Sequence, residues 1–283
     1  MNIVFSEKCL EYNWPGHIER PERVVPAIGF LREKYPFLKP EPALQDDLLH
    51  VHSKEYVDLI KNAKHGSYID GDTPAPENIY EYALLSVGAA ILAAQEKGFS
   101  LMRPPGHHVG INGRAMGAPT LGFCYFNNIA IAVKKLGLST LILDIDGHHG
   151  NGTQEIFQGN KIVSFISLHR HPTYPGTGLS SKGNCLNFPL HYLTGDDLFL
   201  KTLEKAFSKV EMENIDAVAI SAGFDAHLGD LASLSLTSNC YREIGRIVGR
   251  YRKKVFGVLE GGYIGEYVSR DIYELIEGLK ENQ

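Results

Sequence analysis

Cysteine is scarce in this 283-residue sequence: there are four, at positions 9, 124, 185 and 240, and no two have C-x-x-C spacing. That pattern excludes a disulfide framework and a cysteine-rich zinc site, and the expectation is reduced, mostly structural thiols. Long apolar runs are absent as well. No stretch reaches the ~18 residues of a membrane span, and Met1 to Cys9 lacks a charged segment followed by an apolar one. A cytoplasmic protein with no membrane partner is expected. Positive charge is not in excess: 28 Lys and Arg stand against 33 Asp and Glu, a formal net charge of -5, which provides no footprint for nucleic acid. With 43% hydrophobic and 22% charged residues, and no repeat, low-complexity tract or linker, the composition is that of a globular protein. One domain covering 1–283 is expected, with oligomeric state left open.

What is present is an alternation of short apolar runs and helical periodicity. Runs at 2–5, 99–103, 140–145, 162–168, 185–190, 217–223 and 255–259 read as strands. Helical spacing occupies 21–35, 53–63, 78–97, the residues before 136, 154–158, 196–212, 238–252 and the chain after Tyr263. Connections of crossover length predict an α/β fold, a central mostly parallel sheet flanked by helices on both faces. Residues 69–77 read as a Gly/Pro/Asp loop.

Chemistry concentrates where these strands end. The run from Thr140 to Ile145 finishes in Asp144-Ile-Asp-Gly-His-His-Gly-Asn-Gly-Thr-Gln154. In extended chain Asp144, Asp146 and His148 would project to one side, and several charged groups at the end of a buried strand need a cation or partners. Two carboxylates and an imidazole make a start on a zinc site, which commonly takes three protein ligands. The strand at 99–103 runs into Pro104-Pro-Gly-His-His108, a loop presenting two imidazoles, as though two neighbouring strands served one pocket. The strand at 217–223 ends in Phe224-Asp225-Ala-His227. Arg23 falls in the first turn of its helix, where the dipole disfavours a cation, so it is either an exposed arginine or one with a specific task.

Taken in order, Arg103-Pro-Pro-Gly-His-His108, Gly122-Phe-Cys-Tyr-Phe-Asn-Asn128, the 144–154 segment, Ser221-Ala-Gly-Phe-Asp-Ala-His227 and Glu260-Gly-Gly-Tyr263 resemble the histone deacetylase and acetylpolyamine amidohydrolase family. The Asn-Gly-Thr-Gln tail looks like the class II branch and its bacterial relatives. The resemblance implies the arginase-like fold and a zinc-dependent amidohydrolase. It implies Asp146, His148 and Asp225 as ligands of one zinc ion, His108 as general base and acid, and His107 as its electrostatic partner, held by Asp144. Tyr263 is implied as hydrogen-bond donor to the oxyanion. Gly122, Phe123 and Tyr174 match the walls of a narrow channel, Asp72 a rim aspartate, and Arg23 an arginine of an internal cavity. Asp144, Asp146, His148 and Ser167 match a structural potassium site.

Two departures stand out. Asn151 replaces the aspartate of the class I pattern, so His108 lacks a carboxylate partner and should titrate lower. Leu231-Ala232 follows Gly229-Asp230 where many relatives have proline and a larger residue. The substrates implied are acylated lysine side chains of proteins or peptides, short acyl groups first, with acetylated polyamines as the alternative. A non-catalytic acyl-lysine binder and a dimanganese hydrolase of arginase type are the remaining readings. The first would leave the assembled ligands and histidines without a task, and the second needs further carboxylates.

Overall fold

The computed structural model describes residues 1–282. Its main sheet has eight strands: β1 (Ile3–Val4), β2 (Phe37–Leu38), β3 (Phe99–Ser100), β4 (Thr140–Asp144), β5 (Val163–Arg170), β6 (Cys185–Leu190), β7 (Ala217–Ala222) and β8 (Lys254–Leu259). They lie in the order β6-β5-β4-β7-β8-β3-β1-β2, and every pairing is parallel. The helices are α1 (Val25–Arg32), α2 (Gln45–Leu48), α3 (Lys54–Lys61), α4 (Ile79–Glu96), α5 (Asn128–Leu136), α6 (Asn151–Phe157), α7 (Gly195–Phe207), α8 (Ser238–Gly249) and α9 (Gly265–Lys280). One layer packs α1, α7, α8 and α9 together; the other joins α2 to α6.

The central strands explain themselves. All residues of β4 and β7 are buried, as expected of strands covered on both faces, and their apolar runs are continuous. Helix α4 is rich in alanine, and Gly88 lets the Glu41 to Ala43 segment lie against it. A side chain there would collide with main chain. Ser53 caps α3 by accepting from the Tyr56 N–H at 3.3 Å.

Several expected boundaries move. The helix expected over 21–35 splits into a 3-10 turn, Pro21–Arg23, and α1. The helix expected at 154–158 begins at Asn151, and the one expected to reach 212 ends at Phe207. The loop at 69–77 includes half of a small antiparallel ribbon, Ser67–Tyr68 with Pro74–Ala75. The strand before the histidine pair is not the neighbour of β4, because β7 and β8 lie between them. The four strands β4, β7, β8 and β3 are nonetheless consecutive across the sheet, and the chain following each one supplies the site. No helix among the described residues is long and apolar enough to cross a membrane.

Candidate active site

Past the end of β4 the chain turns on its own carboxylates. The Asp146 N–H donates to Asp144 Oδ1 at 3.1 Å and the His148 N–H to Asp146 Oδ1 at 2.8 Å. Asp225, from the loop after β7, accepts the Gly147 N–H on Oδ1 at 2.8 Å, and Asp146 Oδ2 accepts the Gly261 N–H at 2.7 Å. Each carboxylate is thereby oriented by main chain. Glycine is required at Gly223 and Gly261, where a Cβ would run into the Asp146 carboxylate.

Asp146, His148 and Asp225 present ligand atoms all within 4.8 Å of one another, and all three are buried. Asp225 Oδ2 is 2.7 Å from His148 Nδ1, yet it has no hydrogen-bond partner. An unpartnered buried carboxylate oxygen this close to a ring nitrogen makes a pair of atoms that one cation can bridge. Burial lowers the His148 pKa, but the Asp225 and Asp146 carboxylates more than offset this and push it up to about 10. A proton thus balances carboxylate charge there, and a metal cation can displace it. Donor type, number and burial fit one divalent ion. Among the described residues this is the single group of three or more such side chains, which does not provide the second ligand set of a dimetal centre. Asp144, expected on the same side, is turned instead toward His107.

Glu260, the residue after β8, fixes the histidine loop. Its Oε2 accepts the N–H groups of Gly106 at 2.7 Å and His107 at 3.1 Å, while Oε1 accepts the Ser221 hydroxyl at 3.0 Å. The two imidazoles sit side by side with centroids 4.0 Å apart. His107 donates from Nδ1 to Asp144 Oδ2 at 3.0 Å. Burial opposes its charge, but Asp144 and Asp146 prevail and push His107 up to about 10. His108 is different. Burial first, then the neighbouring His107 and His148, hold it well below the usual histidine range, so it is neutral at pH 7. Its Nδ1 is 2.8 Å from Asn151 Oδ1, and the Asn151 amide donates to the Ala115 carbonyl at 2.9 Å. With the amide nitrogen so engaged, the oxygen must face His108, which places the proton on Nδ1 and leaves Nε2 as a free base.

A cavity of about 280 Å³ opens onto these groups. His108, His148 and Tyr263 line it together with Gly122, Phe123 and Tyr174, and Asp72, Thr173 and Leu231 complete it. Gly122 and Phe123 are both left-handed, at φ +58° and +68°. A Cβ at Gly122 would lie 2.5 Å from the His108 ring, so glycine is needed for both conformation and clearance. Phe123 has no such freedom, and its strained backbone holds its ring edge-on to Tyr263, 6.0 Å between centroids. Tyr174 packs against His108 at 4.9 Å and donates its hydroxyl to the Thr120 carbonyl at 2.9 Å.

Arg23 is outside this lining. It is buried, donates to the carbonyls of Gly262 at 2.6 Å and of Glu260, and pairs with Glu19 at 2.8 Å. Its guanidinium lies 4.8 Å from the Tyr263 ring centre. The task of this arginine is to hold the chain on either side of Gly261. Glu19 also clasps Arg103 through both carboxylate oxygens, at 2.7 and 2.6 Å. Sequence reasoning assigned nothing to Glu19, although an acid four residues before Arg23 on a helix-starting segment is a visible pairing signal.

Comparison with known proteins agrees with this geometry. Residues 17–279 match the histone deacetylase domain. A probable deacetylase of Archaeoglobus fulgidus is 40% identical, the alignment taking in 92% of this chain and 80% of that one. Another probable deacetylase, from Methanothermobacter thermautotrophicus, is 35% identical over 99% of this chain and 90% of its own. Among solved structures, the HDA15 HD domain superposes with a TM-score of 0.89 at 32% identity, covering 98% of this chain and 88% of that one. An acetylpolyamine aminohydrolase from Burkholderia pseudomallei reaches 0.86 at 23% identity, covering 100% and 99%, a likeness of fold. Match length, identity and topology lead to one conclusion: this chain belongs to the histone deacetylase family.

Proposed function

We propose that the chain is a zinc-dependent deacetylase of acylated lysine side chains, working as one catalytic domain. The observation that carries this reading is the grouping of Asp146, His148 and Asp225, with His148 lining one cavity together with a neutral histidine, His108, and Tyr263. Zinc held by these three would polarise the amide carbonyl and lower the pKa of a water molecule. The potassium ion that the resemblance implies is assigned to main-chain oxygens of Asp144, Asp146, His148 and Ser167. Asp144 and Ser167 are register partners on β4 and β5, and the Ser167 hydroxyl is already paired with His169 Nδ1 at 2.9 Å.

The remaining work falls to the protein. His108, neutral and with Nε2 free, takes a proton from the attacking water and returns it to the leaving amine. His107, charged against Asp144, stays as a fixed positive neighbour that keeps His108 neutral until the proton moves. Tyr263 donates a hydrogen bond to the oxygen on which charge develops. The rings of Phe123 and Tyr174, with Gly122 beside them in the same lining, match the methylene stem of a lysine. The rim supports lysine over a polyamine. Asp72 is the rim carboxylate, and its oxygens are engaged by the Thr120 hydroxyl at 2.6 Å and the Thr73 hydroxyl at 2.9 Å, while Leu231 is apolar and 46% exposed. A second ammonium would meet there one carboxylate, already hydrogen-bonded, and no further acidic residue of the cavity lining.

The test is kcat/KM of the zinc-loaded protein on acetyl-lysine peptide, longer acyl-lysine peptides and N-acetylated polyamines, with Asp146→Asn as the blank. Acetyl-lysine peptide is expected to lead. Polyamine in first place would overturn the substrate assignment, and metal-dependent silence on the whole panel would overturn the catalytic one.

The Asn151 contact yields a second expected result. Asn151→Asp sets a carboxylate at His108 Nδ1 and favours its protonated form, so the acid limb of the kcat/KM profile should move up by about one pH unit or more. Because the free base is the working form, the variant loses activity at a higher pH on acidification. A profile superimposable on wild type would remove His108 from the role of base.

A further inference from the structure

Asp230 lies five residues beyond Asp225 on the loop after β7, is 8% exposed, and is not part of the cavity lining. Its Oδ2 accepts two main-chain N–H groups, those of Tyr263 at 2.9 Å and Ile264 at 3.0 Å, and its Oδ1 accepts the Leu231 N–H at 2.6 Å. Ile264 is the residue before α9 and has no side-chain cap of its own. Asp230 therefore serves as the cap from another loop, with its charge at the positive end of the helix. The turn just before is built on Gly262, at φ +108°, where a Cβ would press on Val268 and Phe224. Such a turn sets the direction of Tyr263 only if its far side is held. Arg23 holds the peptide entering Tyr263 by its carbonyl side, through Gly262 at 2.6 Å, and Asp230 holds the N–H side of the same peptide and of the next one. The Asp230 loop is itself anchored to α9: His227 pairs with Asp271 at 2.7 Å and stacks on Tyr267 at 4.1 Å between centroids.

We infer that Asp230 is a positioning residue for Tyr263, clamping its main chain so that the phenol hydroxyl reaches the oxygen of the reacting amide. This rests on the role proposed for Tyr263 above. Because Asp230 shares a loop with Asp225 and with Leu231, one short segment sets the spacing of metal ligand, rim and oxyanion donor.

The experiment is a double-mutant cycle. Asp230→Ala is expected to lower kcat by about tenfold to a hundredfold with KM within about twofold and metal content unchanged. In a Tyr263→Phe background the same change should lower kcat by less than about twofold, because the hydroxyl it positions is already gone. Asp230→Asn keeps an acceptor for the two N–H groups but turns an amide donor toward the Leu231 N–H, and should fall between wild type and alanine. It also carries the cycle if the alanine variant does not fold. Wild-type kcat in the Asp230 variants, loss of metal, or a full independent loss in the Tyr263→Phe background would overturn the inference while the Tyr263 reading stands. Undiminished kcat in Tyr263→Phe alone would overturn both.

Discussion

Tyr263→Phe should keep its metal and lose its turnover, with kcat lower by about 10²- to 10³-fold. The change removes one oxygen from a side chain whose ring contacts, the Arg23 guanidinium at 4.8 Å and Phe123 at 6.0 Å, all survive. Tyr263 is not one of the three candidate ligands. Burial, countered in part by Arg23, pushes the phenol well above its ordinary value, so the hydroxyl remains a donor throughout any practical assay range. A donor aimed at developing charge stabilises the transition state more than the ground state, and the loss therefore appears in kcat rather than KM. Zinc content by elemental analysis beside steady-state kinetics checks this. Full turnover, or loss of metal together with activity, would remove Tyr263 from the oxyanion role.

Glu19→Ala should destabilise the fold by about 3–5 kcal/mol, because it leaves two guanidinium groups buried without a counter-charge. Glu19, Arg23 and Arg103 all have fully buried side chains, and Glu19 bonds both arginines. Burial opposes ionisation of Glu19, but Arg103 and Arg23 outweigh it and hold the carboxyl below its ordinary value of 4.5. The sign follows: a depressed carboxyl contributes stability above its unfolded pKa and loses it as pH falls through the folded one. Glu19→Gln should therefore be clearly less stable than wild type at neutral pH, and the gap should narrow only in strong acid. Urea midpoints measured across that range test it. A gap that grows on acidification would mean the triad is not held by charge. Because Arg23 also bonds the carbonyls flanking Gly261, activity should fall before the fold is lost.

The ligand group and the strand-helix alternation could be read from the sequence because both are local. Asp146 and His148 lie two residues apart on the chain, and β4 and β7 carry short apolar runs, Leu141 to Leu143 and Ala217 to Ile220. What could not be read depends on distant pairing. Strand β2 has two residues, too short for a periodicity to register, and the places of β1, β2 and β3 in the sheet come only from register, as of Ile3 with Phe37 and Phe99. The position of Arg23 in a first turn signalled an anomaly, but its partners at 260 and 262 are some 240 residues away, with separations of 237 and 239. Asn151 was visible as a substitution. Its orientation depends on the Ala115 carbonyl, and no local rule places that loop against α6. Asp230 and Glu260 are hidden for the same reason: each bonds main-chain N–H groups of a remote segment, and main chain leaves no mark in the residue pattern.

The sheet order has a consequence for how this protein comes to be active. The last strand made, β8, is inserted between β7 and β3, so the sheet consists of two blocks, β2-β1-β3 and β6-β5-β4-β7, that meet only through it. The histidine pair follows the first block, the candidate ligand group follows strands of the second, and Tyr263 follows the strand that joins them. A chain still emerging from the ribosome has both blocks available and no sheet pairing between them until residues 254–259 arrive. In the sheet, the strand that carries Tyr263 is therefore also the keystone that sets the spacing of the other two parts of the candidate site.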